Sequence, residues 1–165
     1  MLKNFSKKDF TATNILIIIT VLMYIIQINI PKGGLLFGLN LYFLVYDFWW
    51  QPLSTIFAHG GIAHLGMNMF VLWQFGNLIE RFRGAKELVA LYLISGLLTS
   101  ILSFAYIFYI DNQVNLVGAS GAICALLGYV AYYDKAQRNG IITWVLLISV
   151  APLIIGLPIA WYAHF

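Results

Sequence analysis

Charge is what this sequence has least of, and that shortage excludes an ordinary soluble domain. Charged residues make up 9% of the 165 residues, whereas hydrophobic residues make up 62%. Soluble domains carry about 25% charged and roughly 45–50% apolar residues. So few charges cannot cover a water-exposed surface, and the composition indicates a protein that lies in a lipid bilayer.

Charge is entirely absent from five long apolar segments. A helix needs about 20 mostly apolar residues to cross a bilayer. The segments that qualify without any Lys, Arg, Asp or Glu are residues 12–30, 62–79, 88–110, 115–133 and 141–159. A sixth apolar stretch begins near residue 159 and ends with the chain at Phe165. We predict five complete spans and the beginning of a sixth.

Nothing in the sequence divides the chain into separate domains. It contains no repeat, no low-complexity tract and no linker long enough to join two domains. The only cysteine, Cys124, has no partner, which excludes an internal disulfide. We therefore predict one domain over residues 1–165, with the fold class of an all-α polytopic membrane protein.

The basic residues divide very unevenly between the two ends of the predicted spans. If the N-terminus lies inside, eight of the nine Lys and Arg residues fall on the inner side and only Lys32 falls outside. The inner ones are Lys3, Lys7, Lys8, Arg81, Arg83, Lys86, Lys135 and Arg138. This distribution is typical of the positive-inside rule. The net charge of +3 therefore reports topology, it requires no nucleic-acid partner, and we predict a cytoplasmic N-terminus.

A further apolar stretch, residues 33–50, resembles a span but is better explained as an interfacial element. Pro31 and Pro52 flank it, and glycines interrupt it. Its aromatic residues, which end with Trp50, are of the types enriched at the lipid–water boundary. Counting it as a span would move every later loop to the other side and destroy the charge distribution. We predict an element over about 31–52 that lies half in the outer leaflet.

Polar side chains are costly inside a bilayer, so those within the spans indicate where function lies. His64 and Asn68 are four residues apart in the second span and share a helix face. Ser120 is predicted within the first two turns of the fourth span, and His164 one to two turns into the sixth. His59 falls at the outer mouth of the second span. These residues are therefore expected to converge on the outer half of the bilayer, carried by three helices.

A serine and a histidine on facing helices suit nucleophilic acyl transfer. A serine hydroxyl is a weak nucleophile until a neighbouring base removes its proton. An imidazole can take that proton near neutral pH and then pass it to the leaving amine. His64 and Asn68 could donate hydrogen bonds to the oxyanion. No carboxylate is expected near His164, so a Ser–His dyad is the predicted form.

Each of these residues also has a purely structural interpretation. The run of small residues from Gly118 to Ala122 permits close helix packing in any membrane bundle. His164 and Asn68 could serve only as hydrogen-bonding groups between helices, and His59 could simply be hydrated. The shared depth of the set favours a functional site more strongly than any one member does.

Four motifs in chain order resemble those of the rhomboid family of intramembrane serine proteases. The second span carries H-x4-H-x3-N and closes with E-R, the fourth carries G-x-S-G, and the chain ends with A-H. The residues concerned are His59, His64, Asn68, Glu80, Arg81, Gly118, Ser120, Gly121, Ala163 and His164. The interfacial element that ends at Trp50 resembles the family's first loop. The resemblance extends from about residue 12 to the last residue.

The resemblance implies a rhomboid-like six-helix bundle and an intramembrane serine endopeptidase that needs no metal or other cofactor. Ser120 would be the nucleophile and His164 its base, while His64, Asn68 and the Ser120 amide would line the oxyanion hole. The supporting residues would be His59, Gly118, Gly121, Trp50, Glu80 and Arg81. The implied substrates are transmembrane segments of other proteins, cleaved at small residues near the outer surface, with the site opening to that side. The compact plan favours a bacterial cytoplasmic membrane.

Three departures from the family pattern accompany the resemblance. Gln51 follows Trp50 where the family often has arginine, so we expect weaker anchoring of the first loop. Cys124 stands one turn after Ser120, where an aromatic side chain commonly packs under the histidine ring. The chain stops at Phe165, so we expect a chain of this length to be impaired and one with a full sixth span to be active.

Three other functions compete with proteolysis. The main alternative is a non-catalytic rhomboid-like binder of transmembrane helices, but such proteins usually lack the serine or the histidine, and both are present here. A metal or haem protein would use the three histidines. His59 and His64 are five positions apart, however, which should turn them to different helix faces, and no thiolate or carboxylate cluster joins them. A transporter would need charged residues inside the spans, which contain none.

Overall fold

The computed structural model describes residues 11–110 and 114–154, and these confirm the predicted all-α fold class. The helices are α1 (Ala12–Asn29), α2 (Gly33–Phe37), α3 (Tyr42–Val45), α4 (Gln51–Ser54), α5 (Ile62–Val71), α6 (Asn77–Arg83), α7 (Ala85–Ile110), α8 (Ser120–Tyr133) and α9 (Arg138–Ile154). A π-helical turn, Leu72–Gly76, joins α5 to α6 into one continuous helical segment. His164 and the predicted start of a sixth span lie outside the described residues.

The helices cover a small buried core and turn large apolar side chains outward. Leu72, Tyr92, Leu126 and Leu127 are fully buried where α7, α8 and the π-helical turn meet. Ile and Leu side chains on the outer faces of α1 and α7 are mostly exposed. Among the described residues, Ala12–Asn29 and Ala85–Tyr106 are each long and apolar enough to cross a bilayer alone. Such outward apolar faces are favourable in lipid and unfavourable in water.

Glu80 joins the beginning of α1 to α6. Its carboxylate accepts hydrogen bonds from the backbone N–H groups of Ala12 and Thr13, at 2.7 and 2.9 Å, and from the Thr13 hydroxyl at 2.8 Å. The first N–H groups of a helix have no partner within the helix and form the positive end of its dipole. A carboxylate at this place therefore caps α1 and holds it against the end of α6.

The described basic residues gather at the same end of the bundle, with one exception. They lie in or next to the helix ends that meet there: Arg81, Arg83, Lys86, Lys135 and Arg138. Arg83 Nε donates to the Tyr129 hydroxyl at 2.6 Å, which ties the end of α6 to α8. Lys32 lies at the opposite end, where α1 turns into α2. The predicted grouping of basic residues therefore agrees with the packing of the helices.

The segment predicted as an interfacial element contains no helix long enough to cross a bilayer. Its three helices, α2, α3 and α4, have 5, 4 and 4 residues, whereas a span needs about 20. Trp50 Nε1 donates to the Leu36 carbonyl at 2.9 Å and so folds the element back on itself. Its depth in the membrane remains a prediction.

The fourth predicted span, residues 115–133, begins later than expected. α8 starts only at Ser120, and the preceding residues are extended. Leu116 pairs with Leu39 through two backbone hydrogen bonds of 2.9 Å. Gly118 then has a φ of +126°, a conformation that glycine adopts readily and that interrupts a helix. Ser120 is thus the first residue of its helix, which agrees with its prediction within the first two turns, whereas the predicted start of the helix at residue 115 is wrong.

Candidate active site

Ser120 lies at the N-terminal end of α8, where backbone N–H groups have no partner within the helix. The first hydrogen bond that closes α8 runs from Ile123 N to Ala119 O, so the N–H groups before Ile123 have no partner within the helix. Ser120 itself is half-buried. A negative charge that develops beside Ser120 would therefore meet amide hydrogens and the positive end of the helix dipole.

His64 and Asn68 approach the backbone just before Ser120. A Cβ atom added at Gly118 would lie 2.7 Å from His64 Cε1, 2.9 Å from His64 Nε2 and 3.6 Å from Asn68 Nδ2. Only a residue without a side chain fits at this position, because those distances are shorter than normal contacts to the imidazole. The predicted convergence of the second and fourth spans is therefore present in the geometry: His64, Asn68 and Ser120 surround the Gly118 turn.

His59 is not at a wet mouth but is buried, with 1% of its surface exposed. Its Nε2 lies 3.0 Å from Asn68 Nδ2, and its Nδ1 lies 3.1 Å from the Phe57 carbonyl. Since the amide nitrogen of Asn68 can only donate, we assign His59 as the neutral tautomer with its proton on Nδ1. The second hydrogen of the Asn68 amide remains available for another acceptor.

The two histidines of the second span are neighbours, contrary to the prediction from their spacing. The centroids of the His59 and His64 rings lie 5.1 Å apart, and the rings meet edge to face. The helical spacing rule does not apply to this pair, because α5 begins only at Ile62 and His59 precedes it. Within the described ranges 11–110 and 114–154, no group of three or more His, Cys, Asp or Glu side chains could hold a metal ion.

Gly121 lies at a close crossing of α7 and α8. A Cβ atom added there would lie 2.3 Å from Thr99 Cγ2 and 2.8 Å from Thr99 Cβ. Gly96 is also closely packed, though less tightly, since its added Cβ would lie 2.9 Å from Ile56 Cδ1 and 3.2 Å from Ala122 Cβ. These close approaches hold α8, and with it Ser120, against α7.

A small cavity of about 40 Å³ lies beside Ser120. Three hydroxyl side chains of α7 line it, those of Thr99, Ser100 and Ser103, together with Gly118 and Ser120. A cavity needs roughly 10–15 Å³ for one water molecule and polar partners to hold it, so this one has room for a few. The three hydroxyl residues were not predicted as part of the site, although their grouping within an apolar span was a detectable signal.

The segment before Ser120 is held by residues that sequence reasoning missed: Thr55, which follows the interfacial element, and Asn115, which bonds to that element. Thr55 accepts a hydrogen bond from Gly118 N at its carbonyl, 3.0 Å, and donates one from its hydroxyl to the Leu116 carbonyl, 2.6 Å. Asn115 donates to the Gly34 carbonyl at 3.1 Å and accepts from the Asn40 amide at 2.8 Å. The interfacial element thus holds the residues from which α8 starts.

Gln51 takes part in this anchoring, although the sequence suggested that it would weaken it. The side chain is fully buried. Its Nε2 donates to the Leu35 carbonyl at 2.9 Å, and its Oε1 accepts from Asn40 N at 3.3 Å. The amide therefore makes the internal bonds of the element from its own position, beside the Trp50 bond already described.

Of the remaining predicted residues, Glu80 and Arg81 lie at the opposite end of the bundle and His164 lies outside the described residues. Glu80 caps α1, as described above. Arg81 is exposed, with its guanidinium 5.9 Å from the centroid of the Phe82 ring. Cys124 is half-buried on α8, one turn after Ser120. The structure therefore brings together His59, His64, Asn68, Gly118 and Ser120, and it separates Glu80 and Arg81 from them.

Comparison with known proteins identifies one family. A family model described as the Rhomboid domain matches residues 46–165, which is most of the chain. The rhomboid protease GluP of Bacillus subtilis is 37% identical over 91 residues, which are 55% of this chain and 17% of that protein. RHOMBOID-like protein 4 of Arabidopsis thaliana is 38% identical over 110 residues, 61% of this chain and 26% of that protein.

A mitochondrial relative is also similar. The presenilin-associated rhomboid-like protein of Mus musculus is 33% identical over 90 residues, 54% of this chain and 24% of that protein. The chain thus matches between 17% and 26% of the length of these three relatives. Such relatives support an integral membrane location and leave the kind of membrane open.

Proposed function

The chain belongs to the rhomboid family, and from that premise we propose that it is an intramembrane serine endopeptidase with Ser120 as its nucleophile. The observation that carries the proposal is the arrangement around Gly118. Side chains of the second span, His64 and Asn68, lie against the backbone two residues before a serine that starts a helix. Hydrogen-bond donors of the second span thus lie near the start of the helix that carries Ser120.

In the proposed reaction, Ser120 Oγ attacks the carbonyl carbon of the scissile peptide bond, and His164 accepts the hydroxyl proton. The carbonyl oxygen becomes an oxyanion, which accepts hydrogen bonds from His64, Asn68 and the Ser120 N–H. The intermediate then collapses, the C–N bond breaks, and His164 returns the proton to the leaving amine. Water releases the acyl group from Ser120. The assignment of His164 as the base rests on the family resemblance.

Two features of the described residues support this chemistry. The absence of a side chain at Gly118 leaves the space that the His64 ring occupies beside the backbone, and a donor of this kind is worth roughly 10²–10³ in turnover in serine proteases. The hydroxyl-lined cavity beside Ser120 offers a polar space for the water that hydrolysis consumes. Both features lie at the end of α8 from which the peptide would be attacked.

We further propose that the substrates are transmembrane segments and that residues 1–165 act as one domain in a lipid bilayer. The basic residues at the Glu80 end of the bundle favour a cytoplasmic position for that end, because cytoplasmic loops carry an excess of Lys and Arg. The site would then open to the outer side. A bacterial cytoplasmic membrane is the location that the compact plan favours.

The proposal is tested by labelling Ser120 with a fluorophosphonate probe and by cleavage of a single-span test protein with small residues near its outer end. The full-length protein in detergent micelles should incorporate the probe and cleave the test protein, and Ser120→Ala should abolish both. Ser95→Ala is the matched control, since the Ser95 hydroxyl donates to the carbonyls of Leu91 and Tyr92, at 2.5 and 3.4 Å, both within α7. No adduct in a folded parent protein would favour the non-catalytic binder of transmembrane helices instead.

A further inference from the structure

Gln27 is a buried amide in a helix whose neighbouring side chains are apolar and exposed. Only 8% of its surface is accessible, whereas Ile25, Ile26 and Ile28 are each more than one third exposed. Burying an amide without hydrogen-bond partners is unfavourable, because the amide loses its hydrogen bonds to water. A glutamine in this place therefore needs partners, and no partner is available on the apolar face of α1.

The partners of the Gln27 side chain are the backbone N–H and the backbone carbonyl of His59. Gln27 Oε1 accepts a hydrogen bond from His59 N at 2.9 Å, and Gln27 Nε2 donates one to His59 O at 2.8 Å. A single side-chain amide thus satisfies both backbone groups of His59. These two hydrogen bonds fix the position of His59 and also the rotation of its peptide groups.

His59 has little else to fix its backbone, because it lies between two helices. α4 ends at Ser54, and α5 begins at Ile62 after Gly61, which provides no side-chain cap. Gln27, by contrast, lies within the regular hydrogen bonding of α1. A Cβ atom added at Gly33 would overlap the Gln27 carbonyl oxygen, so the start of α2 packs directly on the Gln27 backbone. The contact therefore joins a helical residue with two packed neighbouring elements to a residue outside any helix.

We infer that Gln27 is a positioning residue for the oxyanion-binding amide of Asn68, acting through His59. The chain of contacts runs from the Gln27 amide to the His59 backbone and from His59 Nε2 to Asn68 Nδ2. Because His59 accepts one hydrogen of the Asn68 amide, the other hydrogen is directed by the place of the His59 ring. The inference rests on the proposed function, since it assigns the geometry of the same site to a residue of the first span.

A purely structural role would also explain the two bonds, and the kinetic constants separate the two roles. An anchor between α1 and the segment before α5 would lower stability and the fraction of folded protein. A positioning role would lower kcat of the folded protein with little change in KM, because the oxyanion interaction forms only in the transition state. It would also change the hydrogen bonding of the His59 ring.

The test compares Gln27→Met and Gln27→Glu with Asn29→Ala in the full-length protein. Met has a similar length and makes neither bond, while Glu can accept from His59 N but cannot donate to His59 O. Asn29 is a matched control two residues along the same helix, because its exposed amide bonds only to the Ile25 carbonyl, at 2.8 Å. Each variant is assayed for kcat and KM on the single-span test protein, for fluorophosphonate labelling rate and for thermal unfolding.

We expect Gln27→Met to lower kcat about tenfold, less than the roughly 10²–10³-fold loss of an oxyanion donor, with KM within about twofold. Gln27→Glu should lower kcat by an intermediate factor, and Asn29→Ala should leave both constants unchanged. An unchanged kcat in folded Gln27→Met, or an equal loss in Asn29→Ala, would overturn the inference. Gln27→Glu decides the question by the same criterion if the methionine variant does not fold.

A second readout does not depend on proteolysis. In protein with ¹⁵N-labelled histidine, His59 should give the signals of a neutral ring with its proton on Nδ1, and Gln27→Met should shift these signals while Asn29→Ala should not. Ring signals that stay unchanged in Gln27→Met contradict the positioning role. If the parent protein neither labels nor cleaves, the proposed function fails, whereas the Gln27–His59 coupling is still decided by these spectra.

Discussion

The two ends of the helix bundle hold their chain segments together with different chemistry. At the Ser120 end, neutral amide and hydroxyl side chains bind backbone groups of extended segments, as Gln27 does with His59 and Thr55 with Leu116. At the Glu80 end, charged side chains make the contacts between helices. Glu80 caps α1, and Arg83 binds Glu87 at 3.1 Å and Tyr129.

The difference follows from what surrounds each end. Hydrogen bonds in a buried place are strong because water does not compete, and leaving one partner unpaired is costly. Exposed ion pairs gain little, because water and salt screen them. We therefore expect the Ser120 end to determine geometry and activity, and the Glu80 end to affect stability only through the carboxylate that caps a helix.

The largest effect is expected at the crossing of α7 and α8, for Gly121→Ala. The new methyl group would overlap Thr99 at both Cγ2 and Cβ, so rotation of the Thr99 side chain cannot relieve the contact and the helices must separate. We expect a loss of about 3 kcal/mol in the free energy of unfolding, at the upper end of the range for overpacked cores. Probe labelling of Ser120 should fall with it.

Gly128→Ala is the matched control for that substitution on the same helix. No atom lies within 4 Å of a Cβ added at Gly128, and alanine favours helix over glycine. The control should unfold no earlier than the parent protein in a thermal unfolding experiment in detergent. Equal losses in the two variants would show that α8 tolerates no added methyl group anywhere, and the crossing would have no special role.

A smaller effect is expected for Glu80→Gln at the opposite end. The variant keeps one acceptor oxygen but loses the charge that two backbone N–H groups and the Thr13 hydroxyl share. Hydrogen bonds to a charged group are worth about 1.5–3 kcal/mol, so we expect a loss of about 2 kcal/mol in unfolding free energy. The kcat of the folded fraction should not change.

Glu87→Gln is the control for that change, because its carboxylate lies near the same end of the bundle, its side chain is 41% exposed and it caps no helix terminus in the way that Glu80 does. Unfolding followed by tryptophan fluorescence in detergent would compare the two variants. A loss in Glu87→Gln as large as that in Glu80→Gln would contradict the helix-capping explanation.

The smallest effect is expected for Arg83→Ala. Arg83 makes the most contacts of any described basic residue, with Glu87, Tyr129 and the face of the Tyr133 ring, 4.7 Å from its centroid. Its side chain is nevertheless 43% exposed, so water screens these contacts. We expect stability and kcat to remain within experimental error of the parent protein at physiological salt, and a resolved loss of either would show that contact number matters more than burial here.

The sequence predicted much of the fold and part of the site. The charge-free segments predicted α1, α7 and the continuous helical segment from α5 to α6, because bilayer-length apolar runs have few other stable conformations. The spacing of His64 and Asn68 predicted a shared face. Helical spacing did not predict the position of His59 or the residue at which α8 begins. Both lie at a helix terminus, and a glycine-rich apolar composition does not locate a terminus.

Gln27, Thr55 and Asn115 were missed for a related reason. The side chain of each bonds to a backbone carbonyl at least 32 positions away in the chain. For Asn115, that carbonyl belongs to Gly34 of the interfacial element. Any polar residue could make such bonds, so residue type alone does not reveal the partner. Only the packing of α1 and the interfacial element against the start of α8 makes them members of the site.

The sequence by itself determined that this protein lies in a membrane, that it is helical and which end of the bundle collects positive charge, because hydrophobicity and charge act residue by residue. The tertiary structure decided where α8 begins and that Gly118 lies under His64. It also decided that a first-span glutamine holds the histidine that orients Asn68. These are properties of distances between segments remote in the chain, and close packing sets such distances to fractions of an ångström.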